Sequence, residues 1–356
     1  MKKQSLFLVF NLIVLLLMLI NACKKDNTTE SKPVPVLTTN DVTRVSNSYG
    51  ISGGWVSDAG GGLVTASGVC WSTSPGPTVN DSKTQDNYTN LGYFISYFSG
   101  LSPNTTYYLR AYATTDAGTG YGNEIEFKTL PDYDGQKGTV TDIDGNIYNT
   151  VGIGGQMWMA ENLHTTTFSD GIPIPLKTDD AAWSALTSPG YCYWGNDTAM
   201  IRIYGNLYNW YTVDSASNGN RNVCPDGWHV PTDNDFVILN DFLLETSAGK
   251  WAGGIEATYG GVQANMLKEE GTAHWNSPNA ATNSTGFTAL AGALRYKSGV
   301  YELLGRQGEW WSSTKAQYSN GYSGGIGLFD DFAGINLSGG GEWGNGLSIR
   351  CIKNGE

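Results

Sequence analysis

The residues of this chain with chemistry to offer are few: three histidines, three adjacent acidic pairs, one calcium-like run and five cysteines. His164, His229 and His274 are scattered, and no Cys/His group has the spacing of a zinc site. A metal centre built on histidine is therefore not expected. The pairs Asp179-Asp180, Glu269-Glu270 and Asp330-Asp331 put carboxylates side by side. Glycoside hydrolysis needs two carboxyls facing each other across a bond, and neighbours on loops are ordinarily solvated. The run Asp142-Ile-Asp-Gly-Asn146 begins like a calcium loop, but its twelfth position is Ile153, where an EF-hand needs a bidentate carboxylate. No catalytic residue, metal ligand or cofactor is assigned, and the chain is not expected to be an enzyme. The cysteines are Cys23, Cys70, Cys192, Cys224 and Cys351, with no Cys-x-x-Cys among them.

The stretch Cys224-Pro-Asp-Gly-Trp-His-Val-Pro-Thr232 organises the larger part of the chain. Pro225, Asp226 and Gly227 make a turn, and Val230 before Pro231 must be extended. Thr232 is an N-cap with Asp235 as its partner, and Phe236, Leu239, Leu243 and Leu244 follow at helical spacing. Asp179–Leu186 and Tyr204–Val213 are short helix candidates, and Leu347–Ile352 is a last strand. Trp158, Trp210, Trp228, Trp310 and Trp311 are assigned to the core. Before this lies a run of short strands, including Leu63–Trp71, Tyr93–Phe98, Tyr107–Ala113 and Glu124–Lys128, whose spacing suggests a β-sandwich. Asp144-Gly145 marks a hairpin between Thr139–Ile143 and Asn146–Ile153.

A net charge of −12 leaves no basic surface for nucleic acid. The low charged fraction of 15%, with 47 glycines and 12 tryptophans, suits a compact, loop-rich exported protein. Lys2 and Lys3 followed by the apolar run Leu6–Ile20 have signal-peptide architecture. The sequence Ile20-Asn-Ala-Cys23 resembles a bacterial lipoprotein lipobox, with Asn21 a departure from the usual small residue. That resemblance implies cleavage after residue 22, a lipid-modified (palmitate-bearing) Cys23 and anchoring in the outer membrane of a bacterial envelope. Residues 23–35 then form a polar tether.

Leu101-Ser-Pro-Asn-Thr-Thr-Tyr-Tyr-Leu-Arg-Ala-Tyr-Ala113 with Gly120-Tyr-Gly-Asn-Glu124 resembles a fibronectin type III domain, placed at residues 36–130. Residues 133–356 hold, in order, Thr139-Val-Thr-Asp-Ile-Asp-Gly-Asn146, Trp158-Met-Ala-Glu-Asn-Leu163, Pro189-Gly-Tyr-Cys-Tyr-Trp194, Tyr204-Gly-Asn-Leu-Tyr-Asn-Trp-Tyr-Thr-Val213, the Cys224–Thr232 stretch, Trp310-Trp-Ser-Ser-Thr314 and Ser348-Ile-Arg-Cys351. Together these resemble the FISUMP (Fib-succ-major paralogous) domain of bacterial surface and secreted proteins. No biochemical activity is generally assigned to that domain. Its Trp-His-Val-Pro-Thr and Trp-Trp-Ser-Ser segments are similar to the C-type lectin-like fold. The implied architecture is multidomain: an all-β sandwich followed by an α+β, C-type lectin-like domain.

The related formylglycine-generating enzymes use a cysteine pair near their end, and here only Cys351 lies there. Calcium lectins of this fold need Glu-Pro-Asn or Gln-Pro-Asp with Trp-Asn-Asp, whereas Trp194-Gly-Asn-Asp197 has a glycine inserted and no such partner. Aromatics in loop-like contexts, Tyr191, Tyr193, Trp194, Trp275 and Trp343, are the candidates for stacking on sugar rings. Export permits disulfides. Cys224 is expected to pair with Cys351, removing roughly 4–5 kcal/mol of chain entropy from the unfolded state. Cys192–Cys224 is the competing pairing, and Cys70 is expected as a buried thiol. Asp197-Thr-Ala199 and Asp214-Ser-Ala216 resemble bacterial O-glycan acceptor motifs. The function expected is a lipid-anchored binding or adhesion module for a polysaccharide, glycoprotein or envelope protein. The alternatives are a structural envelope component and an enzyme of unknown chemistry.

Overall fold

The structure is a computed structural model that describes residues 32–86, 88–248, 261–315 and 321–355. The expected signal peptide and the expected lipid attachment at Cys23 lie outside the described residues. The chain is mostly β-sheet and multidomain, with 14% helix and 38% strand. None of its described helices is long and apolar enough to cross a membrane.

The first unit contains β1 (Val36–Thr39), β2 (Tyr49–Asp58), β3 (Ala66–Ser72), β4 (Ser82–Lys83), β5 (Gly92–Ser99), β6 (Thr106–Thr115), β7 (Gly118–Tyr121) and β8 (Ile125–Lys128). One antiparallel sheet runs β1-β2-β5. The other runs β4-β3-β6-β7, with β8 also on β6. Strict alternation in β5 buries Phe94, Ser96 and Phe98 and exposes Tyr93, Ile95 and Tyr97. Leu37, Val56 and Phe94 of one sheet meet Ala111 and Ala113 of the other, so the core lies between two facing layers. Cys70 in β3 is a buried free thiol that alternates with the core residues Val69 and Trp71, and burial pushes its pKa up to about 11.

The second unit contains β9 (Lys137–Thr141), β10 (Ile147–Ile153), β11 (Gln156–Met159), α1 (Asp180–Ser184), β12 (Tyr191–Cys192), α2 (Ile201–Tyr204), β13 (Leu207–Asn209), α3 (Trp210–Val213), α4 (Ser215–Asn218), β14 (Trp228–His229), α5 (Asp233–Ala248) and α6 (Gln263–Leu267). Then come β15 (Leu294–Arg295), β16 (Tyr301–Glu302), β17 (Gln307–Lys315), β18 (Tyr322–Phe329), β19 (Phe332–Glu342), β20 (Gly346–Leu347) and β21 (Ile352–Lys353). Among the described residues its sheets are ordered β14-β21-β11-β10-β9, β12-β13-β20-β15-β16 and β17-β18-β19. Trp158 pairs with Ile352, which brings the two ends of the unit into one sheet.

Two expectations fail locally. The proposed helix Tyr204–Val213 is broken, because Gly205 sits at φ 75, ψ −167 and the next residues become strand β13 on β12 and β20. The last strand divides into β20 and β21, with Ser348 to Arg350 held between them by contacts to β17 and to Asn162. The long helix begins as its sequence requires. Thr232 N donates to Asp235 Oδ2 at 2.7 Å and Asp235 N to Thr232 Oγ1 at 3.2 Å, a reciprocal cap. Against this helix the first unit sets Tyr49, whose hydroxyl donates to Ile238 O at 3.3 Å, and Arg44, 3.6 Å from Asp241.

Candidate functional site

Cys224 and Cys351 are joined by a disulfide with an S–S distance of 2.01 Å. It staples neighbours, since Cys224 precedes β14, Cys351 precedes β21, and His229 pairs with Ile352. Cys192 is a free, buried thiol in β12.

Four of the sequence motifs converge on one side chain. Asn162 is buried, and its Oδ1 accepts from Trp310 Nε1 at 2.8 Å, Arg350 Nη2 at 2.9 Å and Arg350 Nε at 3.2 Å. Its Nδ2 donates to Tyr204 O at 2.8 Å and Ser348 Oγ at 3.2 Å. The guanidinium of Arg350 also donates to Phe287 O and Thr288 O and lies 4.1 Å from the centre of the Phe287 ring. It is 1% exposed, and burial lowers its affinity for the proton, to a pKa of about 9, with Glu161 partly offsetting this. Among the described residues no carboxylate comes within ion-pair distance of it. Buried charges are ordinarily paired, so Arg350 is an unusual residue.

Arg350 and Asn162 line a cleft of about 350 Å3 together with His164, Thr288 and Gly205. The rim carries Glu161 and Arg202 and the apolar side chains of Ile147 and Ile203, which are 69% and 41% exposed. Glu161 is positioned by Asn149, whose backbone N and Nδ2 both donate to it at 2.6 Å. The cleft is large enough for one small polar ligand. It offers two guanidinium groups against one carboxylate, within a chain of net charge −12. Its chemistry suits a hydroxylated ligand that carries a negative charge.

The five candidate aromatics do not gather there. Tyr191 and Trp275 are corrections: both are buried, at 9% and 2% exposure. Tyr191 pairs with Tyr208 across β12 and β13, and Trp275 donates from Nε1 to Ala289 O at 2.8 Å beneath Lys268. Neither offers a ring face to a ligand. Tyr193 is half-buried against the core. Trp194 is half-buried, edge-on to Tyr301 at 5.3 Å. Trp343 stacks on Trp210 at 5.0 Å and touches Tyr211, with Lys315 Nζ 4.7 Å from its ring centre. None of the five lines the Arg350 cleft. One signal for that cleft was present in the sequence: a lone arginine inside the apolar run Leu347-Ser-Ile-Arg-Cys-Ile352.

The other titratable groups are engaged locally. Both ring nitrogens of His229 are occupied, Nδ1 by Asn354 at 2.7 Å and Nε2 by Asp235 at 3.4 Å, so it has no free nitrogen to activate a nucleophile. Burial opposes its charge, but these two partners outweigh burial and raise its pKa. His274 Nδ1 faces both oxygens of Glu269, at 3.0 and 2.8 Å. Asp142 accepts from Asn146 and Tyr148 and closes its own turn, while Asp144 accepts from Thr165 and Thr166 and ties that turn to a distant segment, so both carboxylates of the calcium-like run are engaged within the protein. No metal-holding cluster of His, Cys, Asp and Glu occurs among the described residues.

Comparison with curated proteins finds no match. Among solved structures, the sensor domain of the anti-sigma factor RsgI4 in Pseudobacteroides cellulosolvens is similar at 13% identity, covering 28% of this chain and 97% of that one. Its TM-score of 0.21 is too low to support a shared fold. The sequence model of the Fibrobacter succinogenes major domain (Fib_succ_major) matches residues 151–353, more than half of the chain and the span that contains Asn162, Trp310 and Arg350; the chain belongs to that family.

Proposed function

We propose that this is a lipid-anchored bacterial envelope protein whose family domain is a binding module, and that the module takes a carboxylate-bearing saccharide in the Arg350 cleft. Cys23 is the anchor and residues 24–35 the tether. The first unit is a fibronectin type III-like spacer, supported by its two facing sheets and by Tyr107, whose hydroxyl accepts from Ser102 N at 3.0 Å across the strand corner. The second unit is a C-type lectin-like domain. Support for this comes from its joined ends and from the Trp-His-Val-Pro-Thr segment feeding the long helix α5.

The observation that carries the ligand class is a cleft with the exposed guanidinium of Arg202 on its lining and, behind it, the buried charge of Arg350, which no described carboxylate balances. A uronate carboxylate would pair with Arg202 in the field of Arg350, while its hydroxyls would meet His164 and Glu161 on the lining.

The test is calorimetric titration of the detergent-solubilised full chain with oligogalacturonate and with the matching neutral galactan, each with and without chelator. We expect binding of the uronate alone, unaffected by chelator and weakened by salt. Arg202→Ala and His164→Ala should lower affinity severalfold without unfolding the domain. Equal binding of the neutral oligomer would shift the site to the half-buried aromatics. Absence of binding by both would overturn the saccharide reading in favour of a protein partner or a structural role.

A further inference from the structure

Two tripeptides that the cleft does not use, Asp197-Thr-Ala199 and Asp214-Ser-Ala216, both place an extended aspartate immediately before helical structure. Asp197 is extended at φ −96, ψ 114 and Asp214 at φ −71, ψ 113. In each the hydroxyl residue comes first in the helical segment that follows: Thr198–Met200 runs on into α2, and Ser215–Asn218 ends at Gly219. Thr198, Ala199, Ser215 and Ala216 are all exposed. Among the described residues neither Thr198 Oγ1 nor Ser215 Oγ has a hydrogen-bond partner. Each aspartate spends one carboxylate oxygen inside its own turn and leaves the other open. Asp197 Oδ1 accepts from Ala199 N at 2.9 Å, and Asp214 Oδ2 accepts from the Ser217 hydroxyl. The third aspartate followed by a hydroxyl residue, Asp81-Ser82, is built differently: Ser82 lies in strand β4 and the bulky Lys83 follows it.

We infer that Thr198 and Ser215 are O-glycosylation sites, read by a transferase as one shape: an extended aspartate, a free hydroxyl at the head of a turn, and an alanine small enough to leave that hydroxyl open. The donor is a sugar carried on a lipid- or nucleotide-linked phosphate. The side-chain oxygen attacks the anomeric carbon, and the new C–O bond forms as the bond from that carbon to the phosphate oxygen breaks. The phosphate leaves with the electron pair, the hydroxyl proton passes to a base of the transferase, and nothing is oxidised or reduced. The open carboxylate oxygen is a recognition handle for basic groups on that enzyme. This inference rests on the export proposed above and on nothing about the cleft.

The experiment is glycopeptide mass spectrometry of the full chain taken from the envelope of the cells that make it. Trypsin cuts after Lys177, Arg202 and Arg221, so peptides 178–202 and 203–221 carry one site each. We expect the same sugar mass on both peptides. It should be lost from the corresponding peptide in Thr198→Ala and Ser215→Ala, lost also in Asp197→Asn and Asp214→Asn, and kept in Thr198→Ser. A chain recovered from the cytosol would overturn the anchoring proposal and this one with it. A chain recovered from the envelope with both peptides at their unmodified masses would overturn this inference alone.

Discussion

Replacing Asn162 by leucine is the most severe single change we expect of similar size. Leucine fits the space but removes five hydrogen bonds: three accepted from Trp310 and Arg350, and two donated to Tyr204 O and Ser348 Oγ. Ser348 can rotate its hydroxyl, and Arg350 Nη2 keeps Thr288 O at 3.3 Å. Stranded are Trp310 Nε1, Arg350 Nε and Tyr204 O. Each buried neutral group left unmade costs about 1–3 kcal/mol, and a charged one about 3 or more, so the sum is about 5–9 kcal/mol. That equals the whole stability of many domains. Asn162→Asp keeps the acceptor and gives Arg350 a carboxylate, so it should lose only about 1–3 kcal/mol. The assay is guanidinium unfolding followed by near-ultraviolet circular dichroism, which reports the packed indoles. Loss of less than about 1 kcal/mol in the leucine variant, or an aspartate variant no better than leucine, would refute the view that Asn162 holds these motifs together.

Other consequences can be measured in the same way. The Cys224–Cys351 bond spans 127 residues, so Cys224→Ala with Cys351→Ala should lower stability by about 5 kcal/mol in the chain-entropy model, and denaturation with and without reductant should differ for the native protein only. Glu309 is 8% exposed, and burial raises its carboxyl from 4.5 to about 7, with Gln307 opposing the shift. Because its folded value is raised, the favourable contribution is present below pH 4.5 and lost as pH rises through about 7. Glu309→Gln should therefore be more stable than the native chain at pH 8, by up to about 3 kcal/mol, with the gap closing in acid; unfolding midpoints across pH test this. Thr232→Ala breaks the reciprocal cap of α5 and should cost about 1 kcal/mol in thermal unfolding, with slowed helix amide exchange counting against it.

Much of the framework was legible because it is local. Alternation alone marks β5 and β6, since residue period and sheet face are the same fact. Asp-Gly at positions 144–145 fixes the β9–β10 hairpin, and Thr232 with Asp235 starts α5, because turns and caps are written in adjacent residues. The five tryptophans assigned to the core are all buried, as their apolar area demands. Periodicity misled at Tyr204–Val213, where Leu207, Trp210 and Tyr211 fit a helix but Leu207–Asn209 forms strand, since cross-strand pairing with β12 and β20 outweighs local spacing.

The site is a different matter. Sequence determined that Trp275 and Tyr191 were large aromatics in loop-like surroundings, but only tertiary packing decided that Ala289 and Tyr208 lie against them and remove them from solvent. Sequence likewise presented Asn162, Trp310 and Arg350 as members of separate motifs, 148 and 188 residues apart in their pairings with Asn162. Nothing local to any of them states that they meet. The pairing of β11 with the last strand, β21, brings them to one point, and the buried charge behind the cleft exists only because that long-range closure occurs.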